Sequence, residues 1–325
     1  MRKPGRSVFL LFAGIVACAG LPVSDSLAQS YPVKPVRILV GFAPGGAVDI
    51  VARMVGQKLS ENLGQPVIIE NRPGASTAIA TDRVARSPAD GYTLLLIAIS
   101  TAIQSALRTN LPYDLKRDLG PVSLVSIGPF VLAVHPSLPA RNVKELIALA
   151  RSQPGKLDVG TPGVGSAPHL AGELFKSSAK VNVVHVPFKG SGDSVVAAAS
   201  GLVPVFIGSL ASALTMLDAG RLRPVAVTTA TRASLLPSIP TLDESGLPGY
   251  DYSAWYGVSA PAGVPKDIVA RLNTVLGKVV PEIKEQLNKQ GLEPRTTTPE
   301  QFGALIDREI DRSVELIQLI GLKPQ

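Results

Sequence analysis

Cysteine is almost missing from this chain. Cys18 is the only one in 325 residues, which excludes a disulfide framework and a cysteine-built zinc site. Histidine is nearly as scarce: His135, His169 and His185 stand apart, so no metal is expected, and His185, inside an apolar stretch, reads as a core residue. Charged residues make up only 18% against 46% hydrophobic, which excludes a disordered chain. The formal charge of +7 falls to +5 once residues 1–28 are set aside, and the excess is scattered singly and in pairs. A nucleic-acid interface needs clustered cations, so no nucleic-acid partner is expected. After the first 28 residues the apolar runs are short and broken by Gly, Pro or charge, so none of them reads as a membrane span. Nucleotide motifs are missing too. Residues 41–46 lack the Lys-Ser/Thr ending of a P-loop, residues 160–166 lack the G-x-G-x-x-G register, and no cofactor is expected. Ser166 and His169 lie close in sequence, but without a G-x-S-x-G elbow they predict no catalytic residue and no enzyme.

What is present begins with an export signal. Arg2, Lys3 and Arg6 precede an apolar core at 8–19, and Ser26-Leu27-Ala28 is a small-x-small cleavage site. Residues 1–28 are therefore expected to be removed, leaving a mature chain that starts at Gln29. The competing reading is a lipobox at Ile15-Val16-Ala17-Cys18, which would leave a lipoprotein anchored at Cys18. Either route places the protein outside the cytoplasm of a bacterium.

The remaining length predicts two domains. Hydrophobic patterning predicts alternating strands and helices. Strands are expected at 36–40, 67–70, 92–98, 130–134, 157–160, 181–186, 203–207, 224–228 and 255–259. Helices are expected from 47 to Gly64, at 77–86, from Val143 capped by Asn142, at 167–177, 193–200, 211–219, 266–280 and 282–290, and at 301–320 behind Thr298-Pro299-Glu300-Gln301. The fold class is α/β with parallel-rich mixed sheets and flanking helices. The loop-rich segment 232–250 suggests a crossing between domains.

Open α/β sheets bind ligands at the carboxyl ends of their strands, and five strand-to-helix junctions here share one chemistry. They are Gly41-Phe42-Ala43-Pro44-Gly45-Gly46, Ser100-Thr101, Gly160-Thr161-Pro162-Gly163-Val164-Gly165-Ser166, Phe188-Lys189-Gly190-Ser191-Gly192, and Gly208-Ser209. Each puts Gly, Ser or Thr before a helix, where free N–H groups and the positive end of the dipole favour an anion. Any single junction is explained by turns and caps; five together favour a ligand. The candidate residues are Phe42, Gly45, Gly46, Ala47, Asp49, Ser100, Thr101, Thr161, Gly165, Ser166, His169, Phe188, Lys189, Gly208 and Ser209. Asp49 is most simply a third-position carboxylate binding its own helix start. Lys189 reads as a solvated charge. Trp255 and Tyr256 are further candidate pocket walls.

The junctions lie within longer motifs. Tyr31-Pro32-x-Lys34-Pro35-Val36-Arg37, the 41–49 loop, Glu70-Asn71-Arg72-Pro73-Gly74, Asp90-Gly91-Tyr92-Thr93-Leu94, Leu111-Pro112-Tyr113-Asp114, the 160–170 segment, His185-Val186-Pro187-Phe188-Lys189-Gly190 and Ala260-Pro261-Ala262-Gly263 keep their order and spacing. Together they resemble the Bug family, the periplasmic substrate-binding proteins of tripartite tricarboxylate transporters, across essentially all of residues 31–325. The resemblance implies a two-lobed Venus-flytrap fold of type II-like architecture, with lobe 1 at 31–129 plus 255–325 and lobe 2 at 130–254. It also implies a small carboxylate or related metabolite held between the 42–49 and 161–169 loops, and delivery to membrane transporter subunits. A monomer is expected. A sensor kinase as partner, or an enzyme on a bilobed scaffold, are the alternatives. The chain departs from the family pattern at Ser76 to Ala80, where Gly-Gly-x-x-Gly is usual, at Thr101 to Ser105, where His-Ala-x-Asn-Pro is usual, and at Pro204, where Asp is common. These departures bear on the ligand.

Overall fold

The computed structural model describes Met1 and residues 31–323. The leader, its cleavage site and Cys18 lie outside the described residues. The first stretch runs β1 (Val36–Val40), α1 (Ala47–Leu63), β2 (Val67–Asn71), a 3-10 turn (Ala75–Thr77), α2 (Ala78–Ala85), β3 (Thr93–Ala98), α3 (Ile99–Leu107) and the single turn α4 (Leu115–Asp118). It continues through β4 (Leu119–Val134), α5 (Val143–Ser152), β5 (Asp158–Thr161), α6 (Ala167–Ala179), β6 (Val184–Pro187), α7 (Ser191–Ala199), β7 (Val205–Ser209), α8 (Leu210–Asp218) and β8 (Arg223–Val227). The chain returns through β9 (Ser253–Pro261) and closes with α9 (Lys266–Glu282), α10 (Lys284–Lys289), β10 (Glu293–Pro294) and α11 (Pro299–Leu319).

Local chemistry sets the helix limits. Gly64, at φ 68°, returns its N–H to Ser60 O and ends α1, since a glycine meets no Cβ penalty in the left-handed region. Asn142 accepts from the Glu145 N–H at the start of α5. Thr298 and Gln301 form a reciprocal capping box on α11, with Pro299 at its first position.

The strand order is β2-β1-β3-β9-β4-β7-β5-β6, with β8 and β10 also paired to β4. Two parallel blocks, β2-β1-β3 and β7-β5-β6, are joined through antiparallel β9 and β4. β4 is the connector: residues up to Pro129 pair with β9, and from Phe130 onward the same strand pairs with β7 and β8. The sequence predicted only 130–134 of it; Gly120, Pro121, Ser123, Ser126 and Gly128 are poor strand formers. Register shifts near Pro121 and Leu124 absorb them. β3, Thr93–Ala98, is buried at every position, as expected for a strand covered on both faces. Core side chains form one large cluster and a smaller one around Val131, Phe206 and Leu210.

Candidate functional site

The carboxyl ends of β1, β3, β5, β6 and β7 lead into α1, α3, α6, α7 and α8. All five helix starts line one cavity, through Gly46 to Val48, Ala98 to Ser100, Ala167 and Pro168, Ser191, and Ser209. Its volume is about 30 Å³, and no charged residue lines it. Phe42, Phe130, Pro162, Ala254 and Tyr256 supply the walls. Burial raises the pKa of the Tyr256 hydroxyl, which keeps it a neutral donor. At α1, α3 and α7 the residue before the helix is Gly46, Ala98 or Gly190, and that residue supplies no capping side chain. Ser166 and Ser209 do cap α6 and α8, accepting from the His169 and Ser212 N–H groups. The cavity is thus walled by backbone donors at the positive ends of dipoles, the chemistry that holds a carboxylate without a cation.

The helix starts of α1 and α6 are built alike. Asp49 and His169 are each the third residue of their helix, and each accepts from the N–H four residues back: Gly45 to Asp49 Oδ2 at 3.0 Å, Gly165 to His169 Nδ1 at 3.3 Å. Both glycines have positive φ, 83° and 73°. Burial alone would raise the Asp49 carboxyl, but hydrogen bonds from Arg53, Gly45 and Asn71 outweigh it and hold its pKa below the ordinary value. Burial, aided by the neighbouring His185, pushes the His169 imidazole down to about 4.

Four hydrogen bonds join the elements on either side of the cavity. Ala47 N–H donates to Ser212 Oγ and Ala167 N–H to Ser100 Oγ, both at 3.0 Å. Gln104 Nε2 donates to Gly165 O at 2.8 Å, and Ser76 Oγ to Val164 O at 2.6 Å. Ser212 carried no signal in the sequence, since a lone Ser inside an apolar helix is explained by the helix itself; Gln104 showed only as part of the altered 101–105 stretch.

Behind α6 the expectation that His185 stands alone is overturned. Its ring packs on His169 at 4.7 Å between centroids and over the bare face of Gly172. Ligand-type atoms of His169, Glu173 and His185 lie within 4.8 Å of one another. Glu173 Oε1 is 2.9 Å from Lys176 Nζ and 3.2 Å from His185 Nε2, the latter without hydrogen-bond alignment. Burial would raise the Glu173 carboxyl, but these two neighbours outweigh it and hold it down at about 2. Glu173 Oε1 already serves the Lys176 ammonium, and the group reads as a prop for the second loop.

A second, larger cavity of about 390 Å³, the outer one, shares Phe42 and Pro162 with the first. Phe188, Lys189 and Arg108 line it, as does the strained segment Gly74 to Ser76. Of the expected site residues, Phe42, Gly46, Ala47, Ser100 and Ser209 line the inner cavity, and Phe42, Phe188 and Lys189 the outer one. Gly45, Asp49, Gly165, Ser166 and His169 shape the two loops from behind. Thr161 is fully buried with its hydroxyl unpartnered, and Thr101 Oγ1 meets Thr77 Oγ1 at 3.3 Å. Gly208 makes room for the Phe206 ring. Trp255 packs edge-on against Phe302 and lines neither cavity.

Over residues 51–322 the sequence matches the family described as tripartite tricarboxylate transporter family receptor. The chain belongs to this family. BugT of Bordetella pertussis is 36% identical over 320 residues, 97% of this chain and 96% of that protein. Rpa4515 of Rhodopseudomonas palustris, solved with adipate, has a TM-score of 0.88 at 36% identity and covers 91% of this chain and 100% of its own. MatC of the same organism, solved with malate, has a TM-score of 0.85 at 31% identity over 88% of this chain and 100% of its own. The family and its solved neighbours are periplasmic solute-binding proteins, and the curled mixed sheet with flanking helices is their fold.

The departures from the family pattern are now placed. Ser76 and Thr77 stand where glycines are usual, and they keep glycine-like backbone at φ 49° and 94°, a strain of about 1–2 kcal/mol each. Gln104 occupies the altered 101–105 stretch and bridges to Gly165. Pro204 accepts from the His135 N–H at 2.9 Å and lines neither cavity.

Proposed function

We propose that this protein captures a small carboxylate in the cavity where the five helix starts meet and delivers it to the membrane subunits of a tripartite tricarboxylate transporter. The observation that carries this reading is the convergence itself: five helix starts, three of them without a cap from the preceding residue's side chain, wall one uncharged cavity. Adipate in Rpa4515 and malate in MatC support the ligand class. Residues 31–129 plus 255–325 form one lobe and 130–254 the other, hinged where β4 changes partners and where β9 begins. The four cross-cavity hydrogen bonds belong to the closed state, which alone brings both sets of helix starts together. The protein acts in the periplasm as a monomer, after cleavage before Gln29, and catalyses no reaction.

Native mass spectrometry of freshly purified protein tests the ligand, and a co-purified carboxylate is expected. Small-angle scattering at saturating ligand should show a smaller radius of gyration than the ligand-free protein. An unchanged profile at proven saturation would overturn the closing motion.

A further inference from the structure

The inner cavity is small and carries no charge; the outer one is large and cationic. About 30 Å³ accommodates roughly two water-sized groups, enough for the two oxygens of one carboxylate. The rest of a ligand must therefore lie outside it, and the 390 Å³ cavity that shares Phe42 and Pro162 with it is the adjoining space. Two cations line that space, Arg108 and Lys189, and they differ in kind. Lys189 is exposed, and a lone solvated ammonium is strongly screened. Arg108 is partly buried at the end of α3, and its Nε donates to Gln104 Oε1 at 2.6 Å. The amide of that same glutamine donates to Gly165 O on the opposite loop. The guanidinium is thus held by the residue that ties the two sides of the cavity together. Among the described residues no carboxylate pairs with Arg108, although Arg53, Arg86, Arg117 and Arg232 each have one. A guanidinium with a fixed stem and no internal counter-ion suits an incoming anionic group, which it can bind through two parallel N–H donors.

We propose that Arg108 sets the specificity of the cleft by receiving the second anionic group of the ligand. The preferred ligands are then flexible chains with an anionic group at each end, one against the helix starts and one at the mouth. This rests on the carboxylate reading above and narrows it. The competing role for Arg108 is purely local, a cation that complements the carboxyl end of α3, and it predicts no preference among ligands.

Calorimetric titration with two six-carbon probes, adipate and hexanoate, separates the two roles, because the probes differ only in the second carboxylate. The wild type should bind adipate at least about tenfold more tightly, the effect of one charge-assisted contact. Arg108→Gln, which keeps a polar stem beside Gln104, should bring the ratio to within about twofold, chiefly by weakening adipate. Arg108→Lys should recover part of it, and thermal melts of both variants check that they fold. Equal binding of the two probes by the wild type, or an unchanged ratio in Arg108→Gln, would overturn the role of Arg108 and leave the carboxylate reading standing. If the wild type bound no mono- or dicarboxylate of four to eight carbons, the carboxylate reading would fall and this inference with it.

Discussion

Two loops close on the same cavity with one geometry and opposite chemistry. In the 41–49 loop a carboxylate, Asp49, receives the Gly45 N–H; in the 161–169 loop a neutral imidazole, His169, receives the Gly165 N–H. Asp49 is neutralised from outside by Arg53 and receives a hydrogen bond from Asn71, whereas His169 is kept uncharged by burial against His185. The surroundings of the glycines differ as well. A Cβ on Gly45 would meet nothing within 4 Å, while one on Gly165 would run into Gln104 and come within 2.6 Å of Leu107 Cδ2. The lesson is that a helix start can be fixed for anion binding with or without a charge, provided the charge is cancelled locally. The loop that does without one depends on tight packing.

Alanine scanning of the two glycines gives the largest expected contrast. Gly165→Ala combines left-handed strain with a clash against Gln104 and Leu107 and should cost about 4 kcal/mol of stability. Gly45→Ala should cost only about 1–2 kcal/mol, the strain alone. Denaturant titration of both variants checks this, and equal losses would erase the asymmetry.

The pH dependence is next in size. His169 titrates at about 4 in the fold against about 6.5 in an unfolded chain, so below pH 6.5 the unfolded state takes up a proton that the folded state refuses. Stability should therefore fall as pH drops from about 6.5 to 4, by about 3 kcal/mol, and the slope should flatten in His169→Gln. Asp49, held below its ordinary value, contributes stability above the unfolded carboxylate pKa of about 4 and loses it only at lower pH. The second loop thus fails before the first on acidification. Melting curves across this range test the order, and a wild-type slope confined to pH below 4 would contradict it.

Gly46→Ala distinguishes binding from folding. Gly46 has ordinary extended backbone, φ −85°, and a Cβ there would sit 3.7 Å from Ser191 N beside the inner cavity. The variant should fold with wild-type stability, within about 0.5 kcal/mol, yet bind adipate several-fold more weakly by calorimetry. The smallest effect is expected for Lys189→Ala, under about 1 kcal/mol in adipate binding, since the ammonium is exposed and screened. Loss of binding in that variant would move recognition from backbone amides to a surface salt bridge.

Much of the site was legible because its donors are local. A strand followed by Gly, Ser or Thr and then an amphipathic helix shows where a helix start lies, and all five such junctions line the one cavity. The third-position role of Asp49 was readable for the same reason. His185 was misread because its partners, His169, Gly172 and Glu173, are on α6, and the return of β6 against that helix cannot be seen in the spacing of three histidines. Gln104 showed only as part of the altered 101–105 stretch, and Ser212 and Arg108 left no trace, since what makes each notable is a neighbour 60 or more residues away or a cavity that forms only on folding.

The sequence by itself determined where helices and strands start and stop and the α/β class, because capping, φ preference and periodicity act within a few residues. It also carried the motifs of the family. Only the tertiary structure decided the long β4 that joins the two parallel blocks, the matching of Asp49 with His169, and the division into a neutral inner cavity and a cationic mouth. Those depend on which distant elements come into contact. Burial and hydrogen bonding between distant parts of the chain, rather than local propensity, then fix the charge state and reach of each group.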